Sequence, residues 1–209
     1  MREPDAPRGA PAGGRQRRRI VVAISGASAP VYGIRLLEVM RSHPEVETHA
    51  IVSSGAKATI EYETAWKVAD VLALADVVHD EKDLSAPLAS GTFLTDGMIV
   101  APCSMRTLGM IAHSLNENLI VRAADVHLKE RRKLVLMVRE TPLHAGHLKA
   151  MYDLSLYGAV ILPPVPAFYH LPKTMEALID HSVGKALDQL GVEHELFRRW
   201  SGPLPADER

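Results

Sequence analysis

Short apolar runs alternate with amphipathic segments along most of the chain. The runs have strand length, and several are apolar at every position, as in strands covered on both faces of a parallel sheet. The segments between them repeat apolar residues at helical spacing. The pattern predicts strands at residues 20–24, 48–52, 77–78, 97–101, 134–138 and 159–162, with helices beginning near residues 30, 56, 68, 105, 122, 144 and 174. It favours a three-layer α/β fold, a doubly wound parallel sheet of the Rossmann or flavodoxin-like type, in a single domain.

Small, hydroxyl-bearing or charged residues directly follow four of these strands. They are the turn at residues 25–30 (SGASAP), Ser53, Ser104 with Thr107, and the pair Arg139 and Glu140. The carboxyl ends of parallel strands meet at one edge of a sheet, where such folds bind ligands, and helix starts at that edge favour phosphate. The first turn does not match GxGxxG, so a plain tight connection remains an alternative for it. From the residues alone we predict a site for a phosphorylated cofactor.

The roles of three other segments are less constrained by the pattern. The helix after residue 143 is predicted to place Leu148, Met151, Leu154 and Ser155 on its inner face. The loop at residues 80–95 is long enough for a lid or a partner contact. A proline-rich stretch, residues 163–172, carries Phe168 and Tyr169 and fits either the wall of a flat ligand site or a subunit contact. Cys103 is interpreted as a small buried hydrophobe, because no histidine near it in sequence would activate a nucleophile.

Composition narrows the class of protein. The formal net charge is -1 and 47% of the 209 residues are hydrophobic, so a full core is expected without general attraction to nucleic acid or anionic membrane. No apolar run approaches the roughly 18–20 residues of a membrane span. A single cysteine and histidines without HExxH spacing favour neither a disulfide framework nor a metal site. We expect a cytoplasmic protein.

The two ends of the chain differ from the rest. Residues 1–18 are rich in Pro, Gly and Arg, and they predict a disordered basic tail. A nucleic-acid-binding arm is the weaker interpretation, since no aromatic residue accompanies the charge, and the stretch lacks the hydrophobic region of a secretory signal. The folded domain is assigned to residues 19–200, and residues 201–209 to a C-terminal tail.

Five stretches of the sequence together resemble one known family. They are ISGASAPVYGIRLLE, VAPCSMRTL, NLIVRAADVHLKERRKLVLMVRETPLHAGHL, GAVILPPVPAFYHLP and VGKALDQLG. These stretches are similar to the UbiX-type flavin prenyltransferases, a family that includes the small flavoprotein components of phenolic acid decarboxylase systems. The resemblance implies a metal-independent enzyme that moves a dimethylallyl group from dimethylallyl monophosphate to N5 and C6 of reduced FMN. The product, prenylated FMN, would serve a UbiD-type decarboxylase.

The resemblance also implies an assembly and leaves two alternatives. It makes residues 19–200 an FMN-binding flavoprotein domain in a homo-oligomer, a dodecamer, in which neighbouring subunits complete the site. One alternative is an FMN-binding accessory subunit of a hydroxyaryl-acid decarboxylase without turnover. The other is a related flavin-dependent cysteine decarboxylase, which would need an Asn-bearing PxMN-type segment and a histidine on the first helix. The chain shows neither.

Functional residues carry over from the family by position. The FMN contacts would be Gly26, Ala27, Ser28, Ser53, Ser104, Met105, Arg106, Thr107 and Arg139. The contacts to the prenyl donor would be Arg122, Lys129, Tyr169, Lys185 and Trp200. The catalytic positions would be Glu63, Lys129, Arg139 and Glu140. Cations aimed at the departing phosphate stabilise the charge that builds there, and Glu140 suits a general acid that later takes the proton from flavin C6.

Two positions depart from the family pattern. The family turn usually reads GASGA, whereas Ala29 and Pro30 stand here in place of its second glycine and final alanine. Pro30 suits a first helical turn, but loss of the glycine is expected to stiffen or shift the phosphate turn. Lys185 stands where the family more often has arginine, and a lysine keeps the charge without the bidentate fork. Weaker phosphate binding is expected from that change.

Overall fold

The computed structural model describes residues 17–202. Within them, six parallel strands form one sheet in the order β3-β2-β1-β4-β5-β6. The strands are β1 (Arg18–Ile24), β2 (Val46–Val52), β3 (Val77–His79), β4 (Gly97–Cys103), β5 (Leu134–Val138) and β6 (Val160–Ile161). The helices are α1 (Val31–Arg41), α2 (Ser54–Glu63), α3 (Val68–Leu72), α4 (Met105–Ala112), α5 (Leu119–Lys129), α6 (Ala145–Leu156) and α7 (Met175–Leu190). The predicted doubly wound parallel fold is confirmed.

The start of β1 differs from the prediction. β1 begins at Arg18, two residues before the predicted strand and one inside the segment assigned to the basic tail. The reason is backbone pairing: the Arg18 N–H donates to Glu45 O at 2.8 Å, and the strand then runs in register with β2. A charged side chain does not prevent this pairing at the open end of a strand. Residues 1–16 and 203–209, and so most of both predicted tails, lie outside the described residues.

The inner face predicted for α6 is partly wrong. Met151 and Leu154 are buried as predicted, but Leu148 is 53% exposed and Ser155 is also exposed. Residues 139–146, which lead into the helix, are all exposed, so nothing covers its first turn from the side of the sheet. The helical spacing of the apolar residues correctly predicts the helix. Only its second half, with Met151 and Leu154, has a buried apolar face.

Alternate residues of β1 enter two apolar cores. Ile20, Val22 and Ile24 pack on one face with α1 and α7, and Val21 and Ala23 pack on the other with α4 and α5. α1 lies very close to the sheet, because a Cβ on Gly33 would stand 2.3 Å from the carbonyl oxygen of Ala101. That approach fixes the start of α1, and with it the turn at residues 25–30.

The direction of winding reverses between β1 and β4. From β1 the chain moves outward to β2 and β3, then crosses back to β4 and continues to β5 and β6 on the other side. The connections after β1 and β4 therefore leave toward opposite flanks, and a crevice opens at the carboxyl ends of these two strands. Open α/β sheets bind their ligands at such a switch point.

No helix within residues 17–202 is long and apolar enough to cross a membrane. The same part of the chain contains no group of three or more His, Cys, Asp or Glu side chains that could hold a metal ion.

Candidate functional site

A buried serine joins the two strands that flank the crevice. Ser25, 1% exposed, follows β1, and its hydroxyl donates to the Pro102 carbonyl at 2.8 Å. It also accepts the Ser104 N–H at 2.9 Å. Ser104 in turn caps α4, since its hydroxyl accepts the Thr107 N–H at 3.2 Å and donates to the Thr107 hydroxyl at 3.0 Å. Ser25 thus holds the start of α4 against the end of β1.

The start of α2 forms the neighbouring wall. Ser53 is its N-cap, and its hydroxyl accepts the Ala56 N–H at 3.1 Å. The backbones of Gly26 and Gly55 approach so closely that a Cβ on Gly26 would lie 3.0 Å from Gly55 Cα. Two capped helix starts and a wall of bare backbone therefore meet at one edge, which suits a ligand with a phosphate group.

The turn after Gly26 is held by Glu63, at the far end of α2. One carboxylate oxygen of Glu63 accepts the Ser28 hydroxyl at 3.0 Å and the Ala29 N–H at 2.7 Å. Ala29 has a φ of 69°, in the left-handed region that favours glycine. The substitution at this position has therefore not moved the turn out of its glycine-like conformation; Ala29 adopts it at a steric cost that the bond to Glu63 helps to offset.

Arg139 and Glu140 lie just past β5, at the same edge. The Arg139 N–H donates to the Cys103 carbonyl at 3.2 Å, and both side chains are exposed. The Tyr32 side chain links this position to α7. Burial raises the pKa of Tyr32, against the opposing effects of a hydrogen bond with Ser182 and the positive charge of Arg139. The structure therefore brings Arg139 close to the first turn of α1 and to the middle of α7.

A cluster of aromatic residues and histidines surrounds His181 in α7. The Tyr169 hydroxyl lies 3.0 Å from Nε2 of His181, and the Tyr169 and Trp200 rings meet edge to face with centroids 5.6 Å apart. Lys185 lies one turn beyond His181, and its positive charge is one of the causes that lower the pKa of His181. Three of the predicted contacts to the prenyl donor, Tyr169, Lys185 and Trp200, are therefore gathered around His181.

Lys129 and Arg122 do not join the other predicted residues within one chain. Lys129 ends α5 and pairs with the Glu130 carboxylate, and the chain then enters β5 at its amino end. The five residues of β5, about 16 Å long at 3.3 Å per residue, separate it from Arg139. Within one chain the structure therefore does not bring Lys129 together with Arg139 and Glu140.

Arg122 is also engaged away from the crevice. It donates to the Ala89 carbonyl at 3.0 Å and pairs with Asp125 at 3.0 Å. Arg132, which follows α5, donates to the carbonyls of Gly91 and Phe93. Both arginines anchor the loop at residues 80–95 to α5.

Three neighbouring positions, Cys103, Met105 and Arg106, differ in their exposure. Cys103 is fully buried, and desolvation raises the pKa of its thiol to about 12, so it is a structural residue. Met105 packs against the core on the α4 side. Arg106 is exposed, with Glu117 4.0 Å away, and its side chain is open to a ligand. The sequence placed Ser25 in the predicted turn without indicating its bonds to Pro102 and Ser104, and it indicated no role for His181.

The fold and the capped helix starts at this edge define a protein that binds a phosphorylated cofactor. The chain matches the Flavoprotein family over residues 10–186, and it belongs to that family. Within it, the chain is 55% identical over 184 residues to the flavin prenyltransferase UbiX of Thauera aromatica, covering 88% of this chain and 94% of that protein. It is 51% identical over 187 residues to the Salmonella typhimurium UbiX, covering 88% and 99%. The chain therefore belongs to the UbiX-type flavin prenyltransferase family, as its sequence motifs predicted.

Solved structures agree with this assignment. The crystal structure of AnUbiX in complex with FMN and dimethylallyl pyrophosphate is 51% identical, with a TM-score of 0.88, covering 90% of this chain and 99% of that one. A dodecameric, FMN-dependent UbiX-like decarboxylase from Escherichia coli is 48% identical, with a TM-score of 0.87, covering 88% and 100%.

Proposed function

We propose that this chain is a flavin prenyltransferase that moves a dimethylallyl group from dimethylallyl monophosphate to reduced FMN. The product, prenylated FMN, is released for a UbiD-type decarboxylase. The observation that carries the proposal is the meeting of two capped helix starts, those of α2 and α4, at the carboxyl edge of β1 and β4, in a chain 51% identical to AnUbiX, which was crystallised with FMN and a dimethylallyl donor. The proposed setting is the cytoplasm.

The residues of the crevice fit FMN. The close approach of the Gly26 and Gly55 backbones leaves this wall without side chains, and the N-caps Ser53 and Ser104 direct their helices' first N–H groups toward this edge. Ala27, Ser28, Met105, Arg106 and Thr107 complete the proposed FMN contacts. Arg139 supplies the positive charge that a phosphate or a reduced, anionic flavin ring would require.

The chemistry requires that the donor's allylic C–O bond break with both electrons leaving on phosphate as N5 bonds to the allyl group and gives up its proton to the phosphate. The bond to C6 forms at the expense of the allyl double bond, which gains one proton while C6 loses one. This chain's task is to stabilise the phosphate and move protons. Arg139 and Lys185 lower the barrier by facing the charge that builds on the departing oxygen. Glu140 would donate the proton that the allyl double bond gains and receive the one lost from C6. Glu63 positions the turn at residues 25–30.

Lys129 fits this chemistry only from a neighbouring subunit. It lies at the opposite edge of its own sheet, and its side chain is 46% exposed with Glu130 as its ion-pair partner. We propose that the chain forms a dodecamer, like the Escherichia coli relative, in which Lys129 and Arg122 of one copy approach the crevice of another. Exposed Phe168, Trp200 and the proline-rich loop suit the contacts between copies.

The decisive experiment is anaerobic incubation of the purified protein with reduced FMN and dimethylallyl monophosphate, followed by mass spectrometry of the flavin. A flavin heavier by one dimethylallyl unit, which activates a UbiD-type apo-decarboxylase, is expected. Dimethylallyl diphosphate in a parallel reaction defines which donor is used. FMN that stays bound but unaltered in mass would overturn the proposal and leave the accessory-subunit alternative.

The sharing of the site among neighbouring copies has its own test. Lys129→Ala and Lys185→Ala variants are each expected to lose activity, and mixed assemblies of the two are expected to regain part of it. Recovery is expected because some sites in a mixed assembly receive both intact lysines if the two come from different chains. No recovery on mixing would place both lysines on one chain.

A further inference from the structure

Tyr169 lies on an exposed loop but is held by an ordered partner. Its side chain belongs to the proline-rich loop and is 42% exposed. Its hydroxyl oxygen is 3.0 Å from Nε2 of His181, and the two rings meet nearly at right angles, with an interplanar angle of 78°. Among the described residues, this is the hydrogen bond that ties the Tyr169 side chain to a helix.

His181 is itself fixed by its surroundings. It lies in the middle of α7 and is 8% exposed. Its ring stacks on His170 with centroids 4.9 Å apart and an interplanar angle of 10°, and it packs against Phe197 at 4.7 Å. A buried ring that is held on two sides in a helix keeps one orientation. The hydrogen bond from this ring therefore fixes the position of the Tyr169 hydroxyl.

The chemical state of His181 suits a hydrogen-bond donor to a phenol. Burial, and after it the nearby His170 and Lys185, lower the pKa of His181, so the ring is neutral near pH 7. A neutral imidazole has one N–H and one acceptor nitrogen. With the hydrogen on Nε2, it donates to the Tyr169 oxygen, and the phenol O–H remains free to donate to an anion. In the opposite tautomer, with the hydrogen on Nδ1, Nε2 would accept the phenol O–H. The Tyr169 oxygen would then face the anion with its lone pairs and could not donate to it.

We infer that His181 is a positioning residue that holds the Tyr169 hydroxyl as a hydrogen-bond donor to the phosphate of the prenyl donor. The inference rests on the proposed function, which supplies the phosphate, and it adds a residue for which sequence reasoning gave no role. Lys185 lies one turn further along α7, tethered to Asp188 only at 3.9 Å, while Asp188 is already paired with Arg199 at 2.7 Å. The neutral Tyr169 donor therefore accompanies a lysine that is free to reach the same anion.

This arrangement offsets the weakness expected from Lys185. A lysine gives a point charge without the fork that fixes phosphate orientation in an arginine site. A phenol held by a buried histidine restores a fixed direction to the contact. The orientation of the phosphate then depends on Tyr169 and His181. The strength of its electrostatic attraction depends on Lys185.

The test uses the full chain with three substitutions. His181→Phe keeps the ring volume and its stacking but removes the bond to Tyr169. His170→Phe is the matched control, because neither ring nitrogen of His170 has a hydrogen-bond partner. Tyr169→Phe removes the hydroxyl itself. Calorimetry measures the binding of dimethylallyl monophosphate to the complex of the protein with oxidised FMN. Steady-state assays with reduced FMN give KM and kcat for the same donor.

We expect His181→Phe to weaken donor binding and raise KM about tenfold, with FMN affinity and thermal stability close to wild type. In the Tyr169→Phe background the same change is expected to have less than about a twofold effect, since the bond is already absent. His170→Phe is expected to stay within about twofold of wild type. A His181→Gln variant, which keeps an N–H near Nε2, is expected to recover part of the loss.

Two results would overturn the inference: unchanged donor binding in His181→Phe, or an equal loss in the Tyr169→Phe background. Each is distinct from failure of the proposed function, in which wild type would bind the donor without forming modified flavin. Calorimetry reports on His181 even in that case, because it requires no turnover.

Discussion

Replacing Ser25 with alanine removes the hydroxyl that joins the ends of β1 and β4. The Pro102 carbonyl would keep its bond from the Ser25 N–H at 3.2 Å, so it remains satisfied. The Ser104 N–H would lose its acceptor, and a partly buried donor without a partner costs about 1–3 kcal/mol. We therefore expect a loss of about 2 kcal/mol in the free energy of unfolding. For a chain of this length that corresponds to a decrease of roughly 4–8 °C in Tm.

Thermal unfolding followed by circular dichroism, at one fixed protein concentration, measures this loss. Ser42→Ala is the matched control: its hydroxyl bonds the Val39 carbonyl at 2.7 Å on the exposed end of α1, and a change below about 0.5 kcal/mol is expected. Ser25→Ala should also weaken FMN binding about tenfold, because the start of α4 loses its fixed position. Equal Tm values for the two serine variants would refute the role given to Ser25.

Three further predictions concern catalysis, the turn and pH. Glu140→Gln is expected to bind FMN normally but slow prenyl transfer about a hundredfold in single-turnover assays; full turnover would remove Glu140 from the mechanism. Ala29→Gly is expected to raise stability by about 1 kcal/mol, because glycine accepts the φ of 69° without steric cost; a lower Tm would contradict that reasoning. Burial lowers the pKa of His127 from 6.5 to about 4, so the unfolded chain binds a proton in that window that the folded chain does not. The contribution of His127 to stability should therefore fall by about 1.4 kcal/mol per pH unit as pH decreases from 6.5 to 4. Denaturation curves of His127→Gln should show a slope shallower by about that amount, and an unchanged slope would contradict the assignment to His127.

The sequence was sufficient for the architecture of the sheet and its ligand edge. Apolar runs separated by helical periods identify covered parallel strands, and serine or glycine directly after three of them marks the carboxyl edge. These are local signals, so residues such as Ser53 and Ser104 could be selected from their neighbours in sequence alone. Their N-cap roles follow the same local rule.

Other parts of the site depend on contacts that local patterns do not encode. Ser25 acts on Ser104, 79 residues away, and His181 acts on a tyrosine 12 residues away across a loop. Lys129 is assigned to the site because it matches a site position of the family. Such a match does not tell which copy of the chain contributes the residue to a given site. Leu148 has the right helical spacing but lies beyond the part of α6 that the sheet covers.

The most direct measurement counts both products of the proposed reaction in one anaerobic sample. Inorganic phosphate and modified flavin are quantified together while the protein acts on reduced FMN and dimethylallyl monophosphate. Transfer predicts one phosphate released for each flavin that gains a dimethylallyl unit, with both amounts rising at the same rate. Phosphate released without modified flavin, or neither product formed, would contradict the account.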